Sequence, residues 1–202
     1  MSINAYIILK PKDLINSGDN YIYSNNNIAV MKNKIKPTNN ERIFPEDNIL
    51  VSKTDVKGII TYCNHSFLEI SGYSESELLG KQHNIVRHPD MPRVIFSLLW
   101  DTLKANREFN GYIKNLVKDG SYYWVFTNVT PSFGDDNELL GYYSVRRKPD
   151  VEKLNYIQNL YLELLEIEQQ ASSKDAINES RYKLDSVLNG REQGYDEFIL
   201  SI

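Results

Sequence analysis

The chain has 202 residues, of which 41% are hydrophobic and 25% charged, and its net charge is −4 at pH 7. This composition is that of a globular protein and excludes a fibrous or wholly disordered chain. The longest apolar run, residues 94–100, is far shorter than the roughly 20 residues that cross a bilayer, so we expect no membrane insertion. A single cysteine, Cys63, excludes an internal disulfide and favours a reducing, cytoplasmic location.

Residues 1–42 are rich in asparagine and show no sustained hydrophobic period, which predicts a loosely ordered leader. Met31 is followed by a polar run that leads into the more regular part of the chain. We therefore expect translation to start at Met31, with residues 1–30 as an extension that is not native.

Residues 43–149 carry a sharper pattern. Two β-rich runs flank the turn at 54–58, and Asn64 and a capping box at Ser74 and Glu77 then predict two short helices. Residues 92–106 predict a longer amphipathic helix, and three further β-rich runs are separated by turns at 119–120 and 134–137. This order predicts an α+β fold in which a five-stranded antiparallel sheet carries helices on one face.

Residues 150–202 predict a helical C-terminal extension. Apolar residues recur at 151, 154, 157, 161 and 164, and the opposite face is acidic. Residues 151–202 carry ten acidic and five basic side chains, and the rest of the chain is nearly neutral. We expect the apolar row to pack on the preceding domain, with a partner or dimer interface as the alternative. No basic surface is predicted, so nucleic acid is not an expected partner.

The stretch "HNIVRHPDMPR" (residues 83–93) concentrates two histidines, two arginines and an aspartate. A zinc or iron site is one reading, but the ligand spacing is irregular and interrupted by prolines. Haem ligation by a single histidine is another. In a purely structural reading, the histidines bond backbone carbonyls and Asp90 caps the helix that begins near Met91.

The segments "SKTDVKGIITYCNHSFLEISGYSESELLGKQHNIVRHPDMP" and "KNLVKDGSYYWVFTNVTPSF" resemble a PAS domain. More narrowly, they resemble the sensor domain of the Aer-type aerotaxis receptors and of the stand-alone PAS proteins of bipartite energy taxis. The resemblance implies a PAS fold with non-covalently bound FAD that reports cellular redox state. It also implies a separate chemotaxis signal transducer, membrane-bound or cytoplasmic, as partner, and it leaves a homodimer open.

The same resemblance implies cofactor-binding residues. Arg87, His88 and Asp90 match positions that support the cofactor, and His83 opens the same motif. Three residues match other pocket positions: Asn64, Phe96 and Asn115. A planar guanidinium such as that of Arg87 can bond a pyrophosphate in two places.

Aromatic and amide side chains complete the predicted site. Trp100 and Trp124 are candidates for the flat walls that an isoalloxazine ring needs. Asn128, like Asn115, can offer an amide to the polar edge of the ring. Phe109 stands where the aerotaxis receptors carry a tryptophan, in the segment "EPW", so it keeps a stacking face but lacks the indole N–H.

No nucleophile motif or P-loop is present, so we predict no catalytic residues, no metal site and no enzyme activity. The expected function is a cytoplasmic signal-transduction sensor with FAD. The alternatives are a haem-binding PAS sensor, a cofactor-free interaction or dimerisation module, and a small flavoenzyme. The basic side chains of "VRRKP" (residues 145–149), including Arg146, are expected to be exposed to solvent where the chain leaves the last strand.

Overall fold

The computed structural model describes residues 21–23, 29–31, 35–172, 175–192 and 194–202. The chain divides into two compact units, Met1–Lys36 and Pro37–Ile202. In the first unit, strands β1 (Tyr21–Tyr23) and β2 (Ala29–Met31) pair antiparallel. The loosely ordered leader predicted for residues 1–42 lies largely outside the described residues, as does most of the extension predicted for residues 1–30.

The second unit contains five antiparallel strands in the spatial order β4-β3-β7-β6-β5. The strands are β3 (Leu50–Asp55), β4 (Ile60–Cys63), β5 (Phe109–Leu116), β6 (Tyr122–Phe133) and β7 (Leu139–Arg147). Gly58 closes the β3–β4 hairpin with a φ of 78°, a conformation that residues with a Cβ rarely adopt. The predicted α+β fold with a five-stranded antiparallel sheet is confirmed.

Residues 37–42 are tied to the turn that leads into β6. The backbone N–H of Arg42 donates to the carbonyl of Tyr122, whose own N–H donates to the carbonyl of Asn40. The Arg42 guanidinium also pairs with Asp119 at 2.6 Å. This end of the predicted leader is therefore part of the second unit.

Four helical segments lie between β4 and β5. They are α1 (His65–Ser71), α2 (Glu75–Leu78), a 3-10 helix (His83–Val86) and α3 (Arg93–Lys104). As predicted, the Asn64 side chain accepts the N–H of Phe67 and caps α1, and the Glu77 carboxylate accepts the N–H of Ser74 in a capping box. These short helices pack their apolar residues, such as Phe67 and Leu78, into the core against the sheet.

The C-terminal part is helical, as predicted. It consists of α4 (Val151–Gln170), α5 (Ala176–Asn189) and α6 (Tyr195–Ser201). Asp150 caps α4 by accepting the N–H groups of Glu152 and Lys153. Four members of the predicted apolar row are buried: Leu154, Ile157, Tyr161 and Leu164. Val151 is the exception, because it lies in the first turn of α4 and is 65% exposed.

The cap of α3 comes from a distant residue. Asp90 does not cap this helix, which begins at Arg93. Instead, the Glu168 carboxylate on α4 accepts the N–H groups of Arg93 at 2.7 Å and Val94 at 2.8 Å, together with the Ser180 hydroxyl at 3.0 Å. A residue of α4 thus caps the N-terminus of α3, whose first N–H groups have no partner within the helix.

Candidate ligand-binding site

A cavity of about 240 Å³ lies between the sheet and the segment formed by the 3-10 helix and α3. The sheet face that lines it is called the inner face here, and it carries Ser52, Asn115, Thr127, Ser144 and Arg146. Sites that enclose drug-sized ligands commonly measure about 300–1,000 Å³. The cavity therefore has room for a ring system and not for a whole dinucleotide.

Five residues predicted from the sequence line this cavity: His83, Arg87, Phe96, Trp100 and Asn115. Phe96 and Trp100 both lie on α3, four residues apart, so one helix face supplies two aromatic side chains. An antiparallel backbone bridge joins Arg87 to Asn115 and holds the predicted motif beside β5.

Asn64 has a structural role. Its side-chain oxygen accepts the N–H groups of Val51 at 3.0 Å and Phe67 at 3.1 Å, and its Nδ2 donates to the carbonyl of Ile49 at 2.7 Å. These bonds join β3 to the start of α1. The amide has no place in the cavity lining, although the sequence analysis assigned it to the pocket.

His88 and Asp90 also lie outside the cavity lining. The Nδ1 of His88 accepts the N–H of Asp90 at 3.1 Å, and its ring packs edge-on against Tyr122. Asp90 forms an ion pair with Lys114 at 2.8 Å. Burial, with a smaller effect from Lys114, lowers the pKa of His88 to about 4. Of the "RHPD" stretch, only Arg87 reaches the cavity.

Trp124 and Asn128 lie on the outer face of the sheet. Thr127 and Val129 of the same strand line the cavity, and residues an odd number of positions away point to the opposite side. The Trp124 ring packs against Tyr161 of α4, with centroids 6.2 Å apart, and Asn128 donates to Glu108 at 2.9 Å. The prediction that they contact the ligand is therefore not supported by their positions.

Phe109 is fully buried against α6. Its ring stacks on Tyr195, with centroids 5.7 Å apart and planes inclined by 16°. Gly111 makes room for this ring, since a Cβ there would lie 2.8 Å from the Phe109 side chain. Phe109 is not among the residues that line the cavity. Its ring, which was predicted to stack on the ligand, stacks on Tyr195 instead.

Arg146 is the main residue that the sequence analysis missed. It is 6% exposed and lines the cavity, so the prediction that this side chain is exposed to solvent is wrong. The neighbouring Arg147 is exposed, as predicted. Its guanidinium donates to the Ser52 hydroxyl at 3.1 Å and to the Nε2 of His83 at 3.0 Å. Burial lowers the pKa of Arg146 to about 10, so it remains a cation at neutral pH. Strand alternation is the signal that separates Arg146 from Arg147.

His83 is a neutral acceptor. Burial, and then the neighbouring Arg146, lower the pKa of His83 to about 3. Its Nε2 faces both the Arg146 guanidinium and the Ser52 hydroxyl, which lies 2.9 Å away. We therefore assign the ring proton to Nδ1.

Arg87 presents a second cation to the cavity. Its guanidinium lies over the ring of Phe96, 4.1 Å from the centroid, and within the described residues it forms no side-chain hydrogen bond. Burial lowers the pKa of Arg87, and the Glu168 carboxylate opposes this effect. The fork of donors on Arg87 is available to a ligand.

Two buried polar atoms on neighbouring strands lack a hydrogen-bond partner, and one of them belongs to Asn115, which lines the cavity. The Nδ2 of Asn115 and the hydroxyl of Tyr123 are both buried and have no partner within hydrogen-bond geometry. The two residues face each other across the β5–β6 ladder. Burial raises the pKa of Tyr123, and the neighbouring Asn115 amide is among the groups that oppose this rise. A buried amide donor of this kind is costly unless a ligand or water satisfies it.

Within the part of the chain that the structure describes, no cluster of three or more histidine, cysteine, aspartate or glutamate side chains has the arrangement of a metal site. In the same part of the chain, no helix has the length and apolarity that spanning a membrane requires.

Comparison with known proteins gives the following matches. Residues 60–146 match a family model described as PAS fold. Over 116 residues the chain is 40% identical to the aerotaxis receptor of Escherichia coli (strain K12), covering 57% of this chain and 23% of the receptor. Over 100 residues it is 31% identical to the nitrogen fixation regulatory protein of Klebsiella pneumoniae, covering 50% of this chain and 20% of that protein. The chain thus spans a quarter or less of the length of these relatives.

Among solved structures, the PAS domain of a Colwellia psychrerythraea protein matches with a TM-score of 0.46 and 24% identity. The match covers 50% of this chain and 86% of that chain.

Proposed function

Because residues 60–146 are a PAS domain related in sequence to that of an aerotaxis receptor, we propose that this chain is a redox sensor. In this proposal the cavity binds the flavin ring of FAD, and a separate chemotaxis transducer receives the signal. Residues 43–149 form the sensor domain, and residues 150–202 form a helical extension that transmits the signal.

The observation that carries the proposal is the composition of the cavity. Phe96 and Trp100 supply aromatic surface, and Asn115 supplies an amide with an unpaired donor. Flavin rings need both flat apolar contacts and hydrogen-bond partners along one polar edge. The volume of about 240 Å³ suits the ring, and the phosphates of FAD would then extend past Arg87.

Arg87 fits the phosphate part of the ligand. Its guanidinium is held by the Phe96 ring and has no hydrogen-bond partner of its own in the described structure. Arginine binds phosphate oxygens through two parallel N–H groups, which fixes orientation as well as charge. Because FAD carries phosphates and riboflavin does not, the presence of Arg87 favours FAD over riboflavin as the natural ligand.

FAD, when bound, supplies a ring whose charge and protonation follow the reducing power of its surroundings. In the polypeptide, the strand that lines the cavity leads directly into the C-terminal helices. Arg146 of strand β7 lines the cavity, and only residues 148–150 separate the end of this strand from the start of α4 at Val151. A ligand that interacts differently with Arg146 in two states would shift the equilibrium between two arrangements of β7 and α4.

Haem is less well supported by the same geometry. A haem iron needs an imidazole nitrogen that is free to coordinate it. The Nε2 of His83 instead accepts from Arg146, and His88 does not line the cavity. A cofactor-free module would fill its interior with its own side chains, whereas this domain encloses a cavity of about 240 Å³.

A calorimetric titration with FAD tests the proposal. The wild-type protein is expected to bind one FAD per chain, and Arg87→Gln to bind it about tenfold to a hundredfold more weakly, since a hydrogen bond to a charged group contributes about 1.5–3 kcal/mol. Lys81→Gln, which removes an exposed cation outside the cavity lining, is the control and should bind FAD normally. Equal affinities for Arg87→Gln and wild type would contradict the role given to Arg87.

A further inference from the structure

We propose that Arg146 determines which charge state the cavity prefers, so that the site binds the more negatively charged, reduced form of its ligand more tightly than the oxidised form. This inference rests on the proposed function, in which the ligand is a flavin. It concerns a residue outside the predicted motif.

The position of Arg146 is fixed by neutral partners. Its guanidinium uses two of its five N–H groups, one to the hydroxyl of Ser52 and one to the Nε2 of His83. The face of the group lies over the Phe67 ring, 5.2 Å from its centroid. Neither hydrogen-bond partner carries a negative charge, so the geometry is set without neutralising the cation.

No described carboxylate compensates Arg146. None of the ion pairs in the described part of the chain includes it. The groups that favour its charged form are the hydroxyl of Tyr123 and the thiol of Cys63. Both are neutral near pH 7, because burial raises the pKa of Cys63 to about 11 and raises that of Tyr123 as well.

An uncompensated buried cation is costly, because it loses hydration without gaining a counter-charge. A negative charge placed in the cavity would offset that cost. Perturbed and poorly compensated charges of this kind are concentrated at functional sites. The cavity is thus preorganised for a ligand with an anionic acceptor next to Arg146.

Arg87 and Arg146 differ in this respect. Arg87 is only partly buried and lies in the field of the Glu168 carboxylate, whereas Arg146 is almost fully buried and has no such neighbour. We therefore assign Arg87 to the phosphates and Arg146 to the ring. Riboflavin, which has the ring and no phosphate, separates the two roles.

Reduction supplies the required charge. When dithionite reduces the ring, the ring gains two electrons and one proton from solvent and carries one negative charge, while the dithionite is oxidised to sulfite. An adjacent guanidinium stabilises that charge, as charged groups near a flavin ring generally do. The reduced ring is therefore expected to bind at least tenfold more tightly than the oxidised ring, a ratio equal to about 30 mV for a two-electron couple.

The test is a reductive titration of riboflavin, free and bound to the full chain. Bound riboflavin should have a midpoint potential at least about 30 mV above that of free riboflavin. Arg146→Gln should lose most of this shift, and Arg146→Lys, which keeps the charge, should retain part of it. Arg147→Gln is the matched control, because this neighbouring cation is exposed and does not line the cavity.

The outcomes are distinct. A wild-type midpoint equal to or below that of free riboflavin overturns the inference without any variant, and so does an unchanged midpoint in folded Arg146→Gln. If the wild-type protein binds neither riboflavin nor FAD in either redox state, the proposed function itself fails and the inference falls with it.

Discussion

His83 and His88 stand five residues apart in one motif but have different roles. His83 faces the cavity and accepts a hydrogen bond from Arg146, whereas His88 packs against Tyr122 outside the cavity lining. His88 is buried and His83 partly buried, and the loss of hydration lowers the pKa of His83 to about 3 and that of His88 to about 4. Neither histidine carries a positive charge at neutral pH.

These depressed pKa values predict a pH-dependent stability. An unfolded histidine has a pKa near 6.5, so between about pH 6.5 and 4.5 the unfolded chain binds protons that the folded chain does not. The free energy of unfolding should therefore fall as pH falls, by about 1.4 kcal/mol per pH unit for each histidine. Urea unfolding of the ligand-free protein at several pH values measures this slope.

Substitutions assign the slope to residues. His83→Asn should lower the slope of the free energy of unfolding against pH by about 1.4 kcal/mol per pH unit, the contribution of one histidine. A slope in His83→Asn equal to that of wild type would refute the assignment of a neutral His83.

The residue-level predictions differ in quality for a physical reason. A motif match identifies the chain segment that approaches the cavity, and it correctly brings Arg87 and His83 there. It does not identify the direction of each side chain. Trp124 and Asn128 were chosen for their chemistry, but strand alternation directs them to the outer face. Applying the same alternation to "VRR" would have indicated that one of its two arginines is buried.

At the scale of elements, α4 connects distant parts of the domain. Its start follows β7, and Glu168 near its end accepts two N–H groups at the start of α3, where the predicted motif ends. The Glu168 side chain is only 4% exposed. Helix α4 therefore contacts the segment that carries Arg87, and residues 148–150 connect it along the chain to the strand that carries Arg146.

Removing this cap should destabilise the domain. Glu168→Ala leaves the N–H groups of Arg93 and Val94 unpaired, and a lost charged bond to buried donors costs about 1.5–3 kcal/mol. Glu166→Ala, an exposed position on the same helix, should stay within about 0.5 kcal/mol of wild type. Denaturant unfolding at pH 7 compares the three proteins. A loss in Glu168→Ala no larger than in Glu166→Ala would mean that α3 does not depend on the cap.

Local patterns predicted the elements well and their tertiary contacts poorly. Hydrophobic period and caps identified α3, α4 and the hairpins, because these signals lie within a few residues of one another. The partner of the α3 start is 75 residues away from Arg93 in the sequence. The stacking of Tyr195 on Phe109 is a similar case, since it depends on where α6 packs.

At the scale of the whole molecule, the described structure combines a cavity, two cations to which we assign separate tasks, and a helical extension that follows the last strand. The antiparallel fold followed from the order of strands and turns along the chain. The partners of Arg146 did not, because strand alternation can indicate which arginine points inward but not that Ser52 and His83 meet it in the cavity. The structure thus adds the electrostatic part of the site to a fold that the sequence already indicated.

The visible absorption spectrum of the natively purified full chain tests the central claim most directly. We expect a yellow protein with the two absorption bands of oxidised flavin, about one flavin per chain, and bleaching of the longer-wavelength band on addition of dithionite. A colourless protein that also fails to acquire these bands after incubation with FAD would contradict the account.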